Sequence, residues 1–240
     1  MIIEGKTTLT FDCYGTLIDW ESGIWDGLQQ LLQTNNSTLM RQTCLEAFAD
    51  IESAVQAQQP YRLYPEVLQL THELFAKQFA LRTTPELDTR FGNFVPFWPA
   101  FPDSADMLRR LKVHFKLVIL SNVDRNSFAR SNERLGVEFD AIFTAEDIGS
   151  YKPNPENFAY MMRNLDCKKT EILHVAQSLF HDIQPATDAG LNSVWIDRQG
   201  LADGGSWGAT AKIDRVPPAE KRFSTLQEFT EFACKAKQGL

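Results

Sequence analysis

The chain has 240 residues, of which 43% are hydrophobic and 23% charged, and it carries a formal net charge of −7. This is the size of one large domain or of a core with a smaller inserted one, and its acidity gives no reason to approach nucleic acid or an anionic membrane surface. No apolar run nears the roughly 20 residues that a membrane helix needs, and the opening "MIIEGKTT" lacks the apolar stretch of a secretory signal, so a cytoplasmic location is expected.

The first apolar run, "TTLTFDC", reads as a buried strand that closes at Phe11 and delivers Asp12 at its end. A buried carboxylate costs several kcal/mol unless it is paired, so Asp12 needs a cation from elsewhere in the chain or does chemistry. From residue 20 to 96 only helical patterns follow. Cys44, Phe48, Ile51 and Val55 repeat with helical spacing, as do Tyr64, Val67, Thr71, Leu74 and Phe75. This predicts a helical domain, residues 19–96, inserted into a core made of 1–18 and 97–240. The segment "FGNFVPFWPAFPDS", with three prolines, returns the chain to that core. Ala105, Leu108 and Leu111 then mark a helix, and the strand "FKLVILSNV" ends in Ser121-Asn122. "DAIFTAEDI" reads as a third strand, followed by "GSYKPNPENF" with Lys152. The next helix has Phe158, Met162 and Leu165 on its apolar face, with Asn154 and Pro155 as cap and first turn. "ILHVAQS" runs into Gln177, Ser178 and Asp182, and "NSVWIDR" is the fifth strand.

Strands alternating with helices predict an α/β protein with a parallel sheet covered on both faces. Ligands of such sheets bind beyond the carboxyl ends of the strands, so a helical insertion leaving that edge forms a cap over the site. Taken singly, Asp12 is a turn-former, Ser121 and Asn122 are loop or helix-cap residues, Lys152 is a solvated charge, and Asp182 is a helix N-terminal acid. Together they place four polar groups at the ends of successive strands. Lys152 is then the missing cation, expected to keep Asp12 ionised and lower its pKa. Ser121 and the amides of Cys13 and Tyr14 could hold an anionic part of a substrate. Cys13, Cys44, Cys167 and Cys234 have no CxxC spacing, which speaks against zinc and against a disulfide framework.

"FDCYGTLID", "ILSNVD", "GSYKPNPENF" and "AQSLFHDIQPATDAG" resemble, in this order, the four motifs of the haloacid dehalogenase superfamily, and specifically its L-2-haloacid dehalogenase (type II) branch. The resemblance implies a Rossmann-like three-layer core, a helical cap, and an aspartate nucleophile that forms an ester intermediate. Most members of the superfamily are magnesium-dependent phosphatases. They carry a second aspartate two residues after the nucleophile and an acid early in the fourth motif. Here those positions hold Tyr14 and Gln177, so the resemblance implies no metal and no other cofactor.

Carried over residue by residue, it makes Asp12 the nucleophile and Lys152 the cation that holds it. Ser121, with the amides of Cys13 and Tyr14, would bind the substrate carboxylate. Thr16, Asn122 and Asp182 would order the carboxylates and the water. The halide-accepting arginine of the branch matches Arg41 by position, and Arg41 also reads as a solvated charge. Two positions depart from the branch: Phe158 stands for a tyrosine and Leu179 for an asparagine. The implied activity is metal-independent hydrolysis of a small 2-substituted carboxylic acid, first of all (S)-2-haloacids. L-azetidine-2-carboxylate, whose strained C–N bond would be opened, is the alternative. Ring opening needs a proton donor, for which Asp19 is the candidate. A phosphatase of this superfamily is a further alternative, and a non-catalytic binding protein on the same fold is another. The expected partner is a small carboxylate, and a homodimer is possible.

Overall fold

The computed structural model describes residues 2–206, 208–213, 217 and 219–239. The apolar runs become strands β1 (Thr8–Phe11), β2 (Lys116–Ser121), β3 (Ala141–Thr144), β4 (Ile172–Ala176), β5 (Asn192–Ile196) and β6 (Lys221–Phe223). All pair in parallel, in the order β3-β2-β1-β4-β5-β6. The chain builds outward from β1 in one direction through β2 and β3. It then returns to the other side of β1 for β4, β5 and β6. The reversal lies between β1 and β4, which is where a parallel sheet opens a crevice for ligands. Register aligns the strand ends there: Phe11 lies opposite Ile119 of β2 and Val175 of β4.

The sheet is covered on both sides, which is why its central strands are apolar throughout. Leu117 and Ile119 pack in one core with Leu108 and Leu111 of α5 (Ser104–Lys112) and Phe229 of α10 (Leu226–Gln238). Val118 and Leu120, the alternate residues of β2, pack in a second core with Phe158 and Met161 of α8 (Glu156–Asn164). Side chains of a strand point alternately to opposite faces, so one run serves two cores. Helices α6 (Arg125–Leu135), α7 (Ala145–Ile148) and α9 (Gln184–Asp188) complete the layers.

Two differences from the sequence reading have local causes. The run "DAIFTAEDI" is a strand only to Thr144, because Thr144 caps α7: its hydroxyl accepts from the Asp147 amide at 3.3 Å, and Asp147 accepts from the Thr144 amide at 2.9 Å. The sixth strand has three residues with two exposed, too short to show an apolar pattern.

Between β1 and β2 the chain forms α1 (Trp20–Thr34), α2 (Arg41–Gln58), α3 (Tyr64–Gln78) and α4 (Pro85–Gly92), with no strand. Cys44, Phe48 and Val55 of α2 and Val67, Thr71 and Phe75 of α3 are buried, as their spacing predicts. The outgoing and returning strands of chain are pinned side by side. Asp19 N donates to Pro99 O at 2.8 Å and Phe101 N to Leu17 O at 3.0 Å. Trp98, on the return, lies so close to Gly23 of α1 that a Cβ there would meet its ring at 2.1 Å. Among the described residues no helix is long and apolar enough to cross a membrane.

Candidate active site

Asp12 stands one residue past β1, at the start of a tight turn. Gly15 adopts φ +92°, a conformation that L side chains rarely take. A Cβ at this position would also lie 2.8 Å from Gln177 Oε1. The turn closes through Gly15 N to Ile18 O and through Leu17 N and Ile18 N to Cys13 O. These bonds leave the amides of Cys13 and Tyr14 without backbone partners among the described residues.

Both oxygens of Asp12 are held. Lys152 Nζ donates to Oδ1 at 3.0 Å and Thr16 Oγ1 to Oδ2 at 2.7 Å. Thr16 Oγ1 in turn accepts from Gln177 N at 2.9 Å, so the residue that follows β4 fixes the hydroxyl that holds Asp12. Lys152 uses all its donors: besides Asp12 it donates to Asp182 Oδ1 at 2.6 Å and to Leu120 O at 2.9 Å. Asn122 holds the lysine by its backbone, accepting from Lys152 N at 2.7 Å and donating to Lys152 O at 2.9 Å. Asp182 lies in a wide turn, Leu179–Ile183, closed by Ile183 N donating to Ser178 O. Such turns recur at functional sites. His174 Nε2 donates to Asp182 Oδ1 at 3.0 Å, and with that tautomer its Nδ1 accepts from Thr10 Oγ1 at 2.9 Å.

Lys152 therefore serves two buried carboxylates with one charge, and they respond differently. Burial pushes Asp12 above the usual carboxylate range. The ammonium pulls it back only in part, and the charge of Asp182 adds to the rise. For Asp182 burial is outweighed by Lys152 and by the hydrogen bond from His174, so it falls below that range. Burial also works against the charge of Lys152, and the two carboxylates more than offset it. Lys152 lowers the pKa of Asp12 as expected, but burial and Asp182 outweigh it, so the net shift is upward rather than downward. The lysine is shared, and Asp12 is the more basic carboxylate, the better nucleophile of the two.

A cavity of about 50 Å³ opens above this pair. Asp12, Asn122, Lys152, Gln177 and Asp182 line its floor, and Trp20, Glu52, Gln56 and Tyr64 of the inserted helices line its roof. Two buried polar atoms have no partner among the described residues: the Oδ2 of Asp182, which lines this cavity, and the Oγ of Ser121, the last residue of β2 and the neighbour in sequence of Asn122.

The structure does not bring the other two predicted residues to Asp12. Arg41 is exposed, donates to Ser22 Oγ at 3.1 Å, and lines a neighbouring crevice with Asp19 and Glu21. Trp20 lines both spaces. Asp19 caps α1, accepting from Ser22 N at 3.1 Å and Ser22 Oγ at 2.7 Å. Its carboxylate serves the first turn of that helix, where orphan amides need an acceptor. Sequence reasoning missed Glu52, Tyr64, Gln56, Trp20 and His174. Glu52 falls on the buried face of α2 between Phe48 and Val55, and an acid on an apolar helix face was the available signal.

A model of the haloacid dehalogenase-like hydrolases matches residues 6–190. The chain belongs to that family. It is 28% identical over 209 residues to "(S)-2-haloacid dehalogenase 4A" of Burkholderia cepacia, covering 83% of this chain and 86% of that protein. It is 24% identical over 180 residues to a glyceraldehyde 3-phosphate phosphatase of Methanothermobacter thermautotrophicus, covering 67% and 78%. An L-2-haloacid dehalogenase from Xanthobacter autotrophicus, with chloropropionic acid covalently bound, shares the fold at 15% identity with a TM-score of 0.77, over 95% of this chain and 98% of that one.

The resemblance implies magnesium for the phosphatases of this family, and the residues here do not fit such an ion. Tyr14 Oη pairs with Ser131 Oγ at 2.8 Å, and Gln177 Nε2 donates to Thr210 Oγ1 at 3.1 Å and to Gln199 Oε1. The two remaining carboxylates already share the ammonium of Lys152. Among the described residues no group of three or more His, Cys, Asp or Glu is placed to hold a metal ion. Of the two departures, Leu179 is buried at the start of the wide turn, and Phe158 packs edge-on against His174 with ring centroids 5.1 Å apart.

Proposed function

We propose that this hydrolase displaces the substituent at C2 of a small carboxylic acid without a metal, through an ester on Asp12. (S)-2-haloacids are the first substrate class. The observation that carries this reading is the arrangement around Asp12: a buried carboxylate gripped at both oxygens, under a small cavity, followed in the turn by the amides of Cys13 and Tyr14, and flanked by β2, whose last residue Ser121 has a buried hydroxyl without a partner among the described residues. A gripped carboxylate with little water is a capable nucleophile. The Ser121 hydroxyl and the amides of Cys13 and Tyr14 suit the substrate carboxylate. The name of the Burkholderia relative supports the haloacids.

In the first step an Asp12 oxygen bonds to C2 and the C2–substituent bond breaks, its electron pair leaving with the substituent. Water then adds to the Asp12 carbonyl carbon, and the product alcohol leaves with the oxygen that Asp12 brought. Asp182 Oδ2, buried and unpartnered, suits a hydrogen bond from that water. A second reading, opening of the C–N bond of L-azetidine-2-carboxylate, is favoured by the polar side chains of Glu52, Gln56 and Tyr64 that stand beside Trp20 in the roof.

The test is a panel of 2-haloacids, azetidine-2-carboxylate and aryl phosphates, assayed with EDTA. Turnover of a carboxylic acid and none of the phosphates is expected, and a rate restored only by magnesium overturns the reading. With enzyme in excess in labelled water, the label is expected on Asp12. Label found only in the product rules out the ester.

A further inference from the structure

The roof of the cavity carries a carboxylate that the displacement of a halide does not use. Glu52 lies in the fourth turn of α2 and is only 4% exposed. Its Oε1 accepts from Tyr64 Oη of α3 at 2.7 Å. Its Oε2 has no hydrogen-bond partner, and no cation lies within ion-pair distance, among the described residues. This contrasts with Asp12 and Asp182, which share Lys152. The side chain lines the same cavity as Asp12. Resting on the ester reading above, we propose that Glu52 donates a proton to the leaving atom, so that the site accepts substituents that depart as amines or alcohols, a strained ring nitrogen above all, as well as halides.

The other titratable groups of the cavity leave this role open. Burial holds the phenols of Tyr14 and Tyr64 well above 10, so they keep their protons. Lys152 is raised by its two carboxylates and spends its donors on them and on Leu120 O. Asp182 is lowered and ionised. His181 is driven down to about 4 by burial, so its ring is neutral at pH 7. Burial pushes Glu52 up to about 7 against the hydrogen bond from Tyr64, so that it holds a proton and can release it near neutrality. Tyr151, from the loop that carries Lys152, also faces Glu52, and its hydroxyl is spent on Arg62 O at 2.7 Å.

The protons balance. With the ring bound as its neutral amine, as Asp12 attacks C2 and the C2–N bond breaks, the nitrogen takes the electron pair and the Glu52 proton, leaving Glu52 ionised. Ester hydrolysis regenerates the Asp12 carboxylate and releases one proton, which returns to Glu52. The sum is one water added across the C–N bond. A halide needs no proton, so the same site handles it without this step.

The test compares Glu52→Gln with the wild type on two probes, azetidine-2-carboxylate and 2-chloropropionate. Glutamine keeps an acceptor for Tyr64 and cannot give a proton. The variant is expected to lose about 10²- to 10⁴-fold on the ring and less than about tenfold on the haloacid. The wild-type kcat on the ring should fall as pH rises through about 7, and that limb should vanish in the variant. Equal losses on both probes, or an unchanged alkaline limb, overturn the proposal and leave the ester reading standing. If the wild type turns over neither probe, the ester reading fails and the acid role falls with it. Infrared difference spectra of wild type against Glu52→Gln give a check that needs no substrate. A protonated carboxyl that titrates near neutrality supports the role, and a carboxylate ionised throughout overturns it.

Discussion

The two walls of the cavity each hold buried carboxylates, and they are stabilised in opposite ways. On the floor Asp12 and Asp182 share an ammonium, and every one of its donors is used. In the roof Glu52 has a phenol and, among the described residues, no cation. A carboxylate buried beside a cation keeps its charge, while one buried beside a neutral donor gives it up near pH 7. The floor thus suits the attack proposed for Asp12 and the roof the proton transfer proposed for Glu52, although the same functional group is used in both. The difference comes from where the elements meet. Strand ends converge and let one lysine reach two acids, whereas α2 and α3 pack by apolar faces and offer Glu52 only Tyr64.

The largest effect that should separate the two walls is at Asp12. Asp12→Asn keeps the shape and removes the nucleophile, so kcat should fall by about 10⁴-fold or more with the melting temperature nearly unchanged. Activity within tenfold of wild type would remove the floor's role altogether. Next comes Lys152→Ala, which removes the ammonium that two buried carboxylates share. It should cost about 3–5 kcal/mol in denaturant unfolding at pH 7, less at a pH low enough to protonate Asp12.

The roof predicts a pH effect of its own. Glu52 is raised above its unfolded value of 4.5, so its contribution is fully present below that value and is lost as pH rises through about 7. Glu52→Gln, which carries no such charge, should gain stability on the wild type by up to about 3 kcal/mol by pH 8. Denaturant midpoints at pH 5 and pH 8 measure it, and parallel shifts in the two proteins would mean that Glu52 is not buried as a neutral acid. The smallest effect should be at Arg41, outside both walls. Arg41→Ala should change stability by less than about 0.5 kcal/mol, and a loss of haloacid turnover beyond tenfold would show that the roof rearranges to bring Arg41 in.

Much of the floor was written in local pattern. Short apolar runs with a polar residue at each end read as buried parallel strands, and register then carries Asp12, Asn122 and Gln177 to one edge because paired strands end together. The helical spacing of Cys44, Phe48 and Val55 likewise announced the buried face of α2 before any contact was known. What sequence could not give is which side chains share a space across that distance. Asp19 and Arg41 lie at motif-like positions, yet helix geometry turns Asp19 to the amides of α1 and leaves Arg41 at the exposed start of α2. Glu52 and Tyr64, twelve residues apart on different helices, meet only because α2 and α3 pack together. Even the charge of Asp12 was a tertiary matter. Sequence supplied the lysine, but burial and the second carboxylate, both consequences of packing, decide how far one ammonium can go between two acids.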